Sequence, residues 1–368
     1  LLLTAILVFG VKLSSRFTAL IVAIKVTAVL IVIFAGLFYI NGSNYTPFIP
    51  DKQPPANNEG GLKQPLIEWM SGFEPSSFGV MGIFFGAATV FFAFIGFDIV
   101  ASAAEETKKP QRDLPIGILG SLGICTLLYV AVSIVVTGMQ KYSDLSIDAP
   151  LSDAFKAVDA GHWAWIINIG AVAGLMSVTM IMLLGQSRVF FAMSRDGLIP
   201  RFFSDTHPKY RTPYRSTIAL GLVVAVVAGV IPLKELAELV NIGTLFAFIV
   251  VSIGVVVLRR TRPDLPRAFR TPWVPVLPVL SVLACLWLMI NLPVETWWRF
   301  LVWMAVGFVM YFGYSRRHSR LGMAETGVPG VSPVPDEEIP GGALPGQTPP
   351  EGGIPRRDLP DKGTDDTL

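Results

Sequence analysis

Phe91-Phe92-Ala93-Phe94-Ile95-Gly96-Phe97-Asp98 puts a glycine and a carboxylate inside an aromatic run that otherwise has the makeup of a lipid-buried helix. A continuous membrane helix satisfies all its backbone groups internally, and it has no use for a conformational breaker or a charge at that depth. Discontinuous helices, which open their backbone to hold a polar solute near the bilayer midplane, need both. The stretch therefore predicts a helix interrupted halfway across a membrane. Gly96 supplies the permissive backbone, and the carbonyls freed around Phe92–Ile95 become acceptors for an ammonium group. A plain helix with an incidental glycine is the alternative.

The rest of the chain agrees on the membrane. Its 368 residues are 52% hydrophobic and 15% charged, with a mean hydropathy of +0.58, where soluble domains carry about 25% charged residues. Eight apolar runs reach or approach the ~20 residues that cross a hydrocarbon core: 18–40, 78–101, 116–139, 163–184, 217–230, 245–258, 274–292 and 300–314. The fifth, sixth and eighth are short and are expected to extend. Residues 1–13 read as the end of a further run without an initiating Met, so helices are expected upstream; a secretory signal would open with a charged segment. The expected fold class is an all-α polytopic membrane protein, with a membrane domain over 1–320. Residues 321–368, with 9 Pro, 9 Gly and 9 acids against 3 bases, cannot bury enough apolar surface to fold and read as a disordered cytoplasmic tail. Cys125 and Cys285 lie in apolar runs and read as small buried hydrophobes.

Lys and Arg set the orientation. Alternate connections hold 19 basic residues on one side and 6 on the other, which makes the first set cytoplasmic. The 18–40 run then points outward and the 78–101 run inward. The 41–77 connection is external and irregular, with a short amphipathic turn near 66–70.

Polar groups inside the apolar runs carry the functional expectations, because a charge there is costly. Lys25 lies about 10 Å along the 18–40 run. It either snorkels to the inner surface or sits desolvated among small residues as a proton-exchanging group. Asp98 either caps the restarted half-helix or contacts substrate or proton. Ser177 and Thr179, midway along 163–184, either bond back to their own helix or face a ligand. Glu105 and Glu106 lead into a polar turn in which Pro110 ends one helix, Asp113 caps the next and Pro115 occupies its first turn. Residues 186–200 read as an interfacial basic element ending at Gly197. His162, His207 and His318 all fall in loops or at helix ends, and no HExxH or GxSxG pattern occurs in the apolar runs, so nothing supports an enzyme or a metal site.

FFAFIGFDIVASAAEETKKPQRDLPIGILGSL, from residue 91, and GQSRVFFAMSRDGLIPRFF, from residue 185, together resemble the amino acid–polyamine–organocation superfamily, nearest its bacterial cationic amino acid transporter-like permeases. The resemblance covers about residues 1–320. It implies part of a leucine-transporter-type five-plus-five inverted repeat, running from the end of the fourth helix to the twelfth, with 18–40 as the fifth and 78–101 as the broken sixth. It further implies that carbonyls of Phe92, Ala93 and Ile95 take the substrate amine beside Gly96 and Asp98, and that Phe92 gates the substrate. Lys25 matches a fifth-helix lysine of proton-coupled relatives, with Ser177 facing the same region. The glycine-rich first-helix break that binds the substrate carboxylate in that family is not in this sequence.

The expected function is secondary active, proton-coupled amino acid transport across the cell membrane by alternating access. The partners are an amino acid and the lipid bilayer, with no cofactor, no metal and no nucleic acid. An exchanger of amino acids or polyamines, a channel and an intramembrane enzyme are the alternatives. A small accessory membrane subunit and an oligomer stay open.

Overall fold

A computed structural model describes residues 1–8, 15–53, 61–72, 78–97, 99–102, 109–146, 149–205, 213–263, 267 and 269–325. Among them every extended element is helical, and the sole isolated bridge pairs Pro65 with Pro293. In chain order the helices are α1 (Leu2–Val8), α2 (Ser15–Gly36), α3 (Leu66–Ser71), α4 (Gly79–Val90), α5 (Ile99–Ser102), α6 (Pro110–Met139), α7 (Pro150–Ala157), α8 (Ala164–Arg195), α9 (Tyr214–Val230), α10 (Leu233–Thr261), α11 (Val276–Ile290), α12 (Val294–Met310), α13 (Arg316–His318) and α14 (Arg320–Glu325), with a π-turn at Tyr311–Ser315 before α13. Four described stretches are long and apolar enough to cross a membrane: Leu20–Tyr39, Gln111–Met139, Gly161–Arg195 and Leu233–Thr261. Shorter apolar helices occupy Gly79–Phe94, Tyr214–Val230 and Val276–Ile290. Their outer faces carry exposed Leu, Ile and Val along their length, as Leu127, Leu175, Val226 and Val251 illustrate. Helices that are apolar all round belong in lipid.

Two cores hold the helices together. One joins α2, α6, α7 and α8 through Val32, Val135, Met139, Phe155 and Ile167. The other joins α4, α10, α11 and α12 through Ala88, Ile242, Leu245, Met289 and Phe300. A smaller cluster seats Leu7 of α1 on Met180 and Leu183 of α8. On α10 the buried residues Glu238, Asn241, Ile242, Leu245 and Ile249 fall at i, i+3, i+4, i+7 and i+11, a single helical stripe. Helices α2 and α8 cross closely because Gly170 has no side chain; a Cβ there would come 2.7 Å from the Ala28 Cβ.

Several expected boundaries move. Pro110 begins α6 rather than ending its predecessor. At a first helical position its missing N–H would have had no partner in any case. Asp113 then lies in the first turn instead of at the cap, and Pro115 lies inside the helix. The basic segment expected as a separate interfacial element is the continuation of α8 to Arg195. Gly197, at φ +78°, does end it, and the segment beyond is docked rather than solvated. The Ser315 hydroxyl donates to Leu198 O at 2.6 Å and Arg320 N–H to Asp196 O at 3.1 Å. α10 starts twelve residues before the apolar run 245–258. The short turn expected in the external connection is α3. Cys125 is half-buried rather than buried, and Cys285 is buried as expected. Glu105 and Glu106 lie outside the described residues, as do residues 326–368 of the expected tail.

Candidate functional site

α4 stops at Val90 and gives way to one 3-10 turn, Phe91–Phe94. Ile95 is extended (φ −64°, ψ 133°), Gly96 has φ +125°, and helix resumes at Ile99. The regular ladder is therefore interrupted where the sequence expects it. Gly96 occupies a backbone region that a side chain disfavours, and it abuts α8, where a Cβ would meet Met182 Cε at 3.4 Å.

Neighbouring helices hold the interruption open. The Tyr129 hydroxyl of α6 donates to Ala93 O at 2.7 Å, and its ring stands edge-on to Phe94 with centroids 5.0 Å apart. Phe91 and Phe97 both pack on Phe248 of α10, at 6.1 and 5.4 Å. Asn241, also on α10 and only 1% exposed, donates from Nδ2 to Ala88 O at 3.1 Å and to Thr89 O at 3.4 Å. Within the break Ile95 N–H donates to Phe92 O, and Ile99 N–H to Gly96 O, both at 3.2 Å. Among the described residues, Phe92 O accepts from Ile95 N–H and Ala93 O from Tyr129, and a carbonyl oxygen has two lone pairs. The Phe92 side chain is 42% exposed. Asp98 lies outside the described residues.

Lys25 and Ser177 meet at one glycine. The Lys25 stem lies over Gly174, whose Cβ position would be 3.6 Å from Lys25 Cε, and the Ser177 hydroxyl donates to Gly174 O at 2.8 Å. Thr179 bonds back in the same manner, to Leu175 O. Gly174 and Met182 are about 12 Å apart along α8 at helical rise. One helix therefore touches both the lysine and the break. Among the described residues no carboxylate forms an ion pair with Lys25.

Two further features lie off this axis. A groove of about 400 Å³ between α2 and α8, lined by Ala23, Ile24, Thr27, Trp165 and Ile169, is apolar and open and offers a polar solute little. A small polar recess gathers Lys63, Lys234, Glu235, Glu238, Glu295 and Arg299 where α10 meets α12. There Thr296 donates to the buried Glu238 carboxylate at 2.8 Å, and Arg299 pairs with Glu235 and Glu295.

Sequence reasoning missed Tyr129, Asn241 and Phe248. The available signal for Tyr129 was a lone hydroxyl-bearing ring in an otherwise aliphatic run, since a tyrosine hydroxyl at lipid depth needs a partner. Asn241 carried the same signal, an amide next to an apolar run, but it fell outside the span assigned to that run.

Helices apolar on their outer faces, one of them interrupted along its length, define an integral membrane protein. The amino acid permease family model matches residues 1–311, and the chain belongs to that family. It is 45% identical over 321 residues to the methylthioribose transporter of Bacillus subtilis (strain 168), covering 87% of this chain and 64% of the relative. It is 46% identical over 320 residues to the branched-chain amino acid permease BcaP of the same organism, covering 87% and 63%. A vacuolar cationic amino acid transporter 2 of Arabidopsis thaliana is 42% identical over 263 residues, covering 71% and 38%. The chain spans less than two thirds of the length of each. These relatives are transporters and permeases, not enzymes, and the intramembrane-enzyme alternative is set aside.

Proposed function

We propose that this chain forms most of a secondary active amino acid permease that binds its substrate's amine at the 91–97 break and moves it by alternating access, coupled to protons. The interruption of the helix at Phe91–Gly96 carries the reading. It turns backbone dipoles into a binding surface at a depth where lipid would otherwise forbid them. Phe92 would cover the bound substrate, a role its partial exposure beside those carbonyls supports.

The described surroundings of the break are aromatic and thioether groups, namely Phe94, Phe97, Tyr129, Met182 and Phe248. Such a lining favours a neutral side chain over a cationic one. Two of the bacterial relatives are named for branched-chain amino acids and methylthioribose, which points the same way. Lys25 would carry the proton, loading when the site faces outward and releasing when the cargo leaves, with Ser177 and Gly174 of α8 as its floor.

Reconstituted in proteoliposomes, the whole permease of which this chain forms most should accumulate a neutral amino acid when the outside is made acid. Lys25→Met should retain exchange of labelled for unlabelled substrate while losing the response to the gradient. An undiminished gradient response in Lys25→Met removes the lysine from the coupling step, and the absence of saturable uptake in the unmodified protein removes the transport reading itself.

A further inference from the structure

We infer that Asn241 is the positioning residue of the break: from α10 its carboxamide fixes the end of α4, and so sets how well the opened segment presents its carbonyls to a substrate amine. The inference rests on the amine-binding role proposed for residues 91–97.

The geometry is specific. An α-helix leaves its last carbonyls short of intrahelical partners, and at the end of α4 the Phe91 N–H reaches back to Ala87 O and Thr89 O. Asn241 Nδ2 donates to Ala88 O and, more weakly, to Thr89 O. These carbonyls immediately precede the 3-10 turn, so their position decides where the chain leaves the α ladder. The bond to Ala88 is dry, with Asn241 1% and Ala88 0% exposed. Buried amide bonds of this kind have no water to replace them.

The donor is itself held in place. One turn earlier on the same face, the Glu238 carboxylate accepts from Thr296 of α12, and both side chains are buried. Two turns later, Phe248 bears on Phe91 and Phe97, one on each side of the break. α10 thus grips the opened segment by an amide at its entrance and a ring at its middle, and it leans on α12 while doing so. Among the described residues Asn241 Oδ1 has no partner, so the donating end alone orients the amide.

Asn241→Leu keeps the approximate volume and removes the donors. Asn241→Asp keeps the shape and replaces the donors with a carboxyl, which donates only when protonated. Both are made in the whole permease and compared with the unmodified protein in proteoliposomes by substrate exchange at equal pH on the two sides, alongside hydrogen exchange of amides 88–97. The Leu variant should raise KM about tenfold, the scale of one or two lost hydrogen bonds, with Vmax changed far less, and should speed amide exchange through the break. The Asp variant should share that defect at about pH 8 and recover at about pH 5, where a buried carboxyl is protonated. Glu238, with Lys234, Glu295 and Arg299 beside it, is common to both proteins, so the ratio to the unmodified protein isolates position 241. Unchanged KM and amide exchange in the Leu variant, or an Asp-to-unmodified ratio that ignores pH, overturns the inference. If the unmodified protein exchanges no amino acid, the proposed function fails, while amide exchange at 88–97 still decides whether Asn241 holds the break.

Discussion

At the scale of single residues, the break is a balance between one unfavourable backbone and the side chains that compensate for it. Gly96 at φ +125° makes Gly96→Ala costly, by about 1–3 kcal/mol. Its thermal unfolding in detergent should fall accordingly, and substrate affinity should fall with it because the carbonyls move. Tyr129→Phe is the gentler probe. It keeps the ring on Phe94 and removes the hydrogen bond to Ala93 O, worth about 1 kcal/mol. A rise of about fivefold in KM with little change in melting temperature is expected; an unchanged KM would mean that Ala93 O plays no part in substrate contact. Gly96 was legible because a glycine among Phe91, Phe92, Phe94 and Phe97 conflicts with every other signal in the run. Tyr129 was not, because one tyrosine in an aliphatic stretch says that it needs a partner and not where the partner is.

Among the helices, the structure explains why one span was read too short. Lys234, Glu235, Glu238 and Asn241 look like a solvated approach to an apolar run, yet they form the first turns of α10. Glu238 and Asn241 point inward, to Thr296 and to the end of α4. Polar residues on a buried face invert the usual amphipathic signal, and only their partners, 58 and 153 residues away in sequence, reveal it. The α2–α8 crossing is the converse, a contact made possible by missing atoms. Gly170→Leu would drive a side chain into Ala28 and should destabilise the protein by about 1–3 kcal/mol, as overpacking does, visible as a lower melting temperature with Lys25 still present. On α7, the Lys156 ammonium and the Ser146 hydroxyl hold the Asp153 carboxyl below its ordinary range. A depressed carboxyl contributes above its unfolded value, near ~4, and loses that contribution as pH falls through the folded value. The pair is exposed and screened. Asp153→Asn should therefore leave the melting temperature near neutral pH almost unchanged and remove only a small part of the acid sensitivity.

Over the whole molecule, two packed cores border the break, one built on α2, α6, α7 and α8 and the other, which includes the first half of the opened helix, on α4, α10, α11 and α12. Tyr129 ties the break to the first group and Phe248 with Asn241 ties it to the second. A segment bonded to both sides shifts whenever they shift relative to each other, which is what the proposed alternating access requires of it. Membrane character was plain from composition, since apolar outer faces repeat along every long helix; which helix face meets which could not be, because lipid and protein interiors reward the same residues. Orientation rests on charge alone, 19 basic residues against 6 on alternate connections, and it has a direct test. In a background with Cys125→Ala and Cys285→Ala, Ser143→Cys follows α6 and Arg317→Cys follows α12; both positions are exposed. The five helices α8 to α12 separate them, an odd number, so they should face opposite sides of the membrane. A membrane-impermeant maleimide added to intact cells should label position 143 and spare position 317 until the cells are opened. Labelling of 317 alone would reverse the orientation, and labelling of both would show that one of α8 to α12 does not cross.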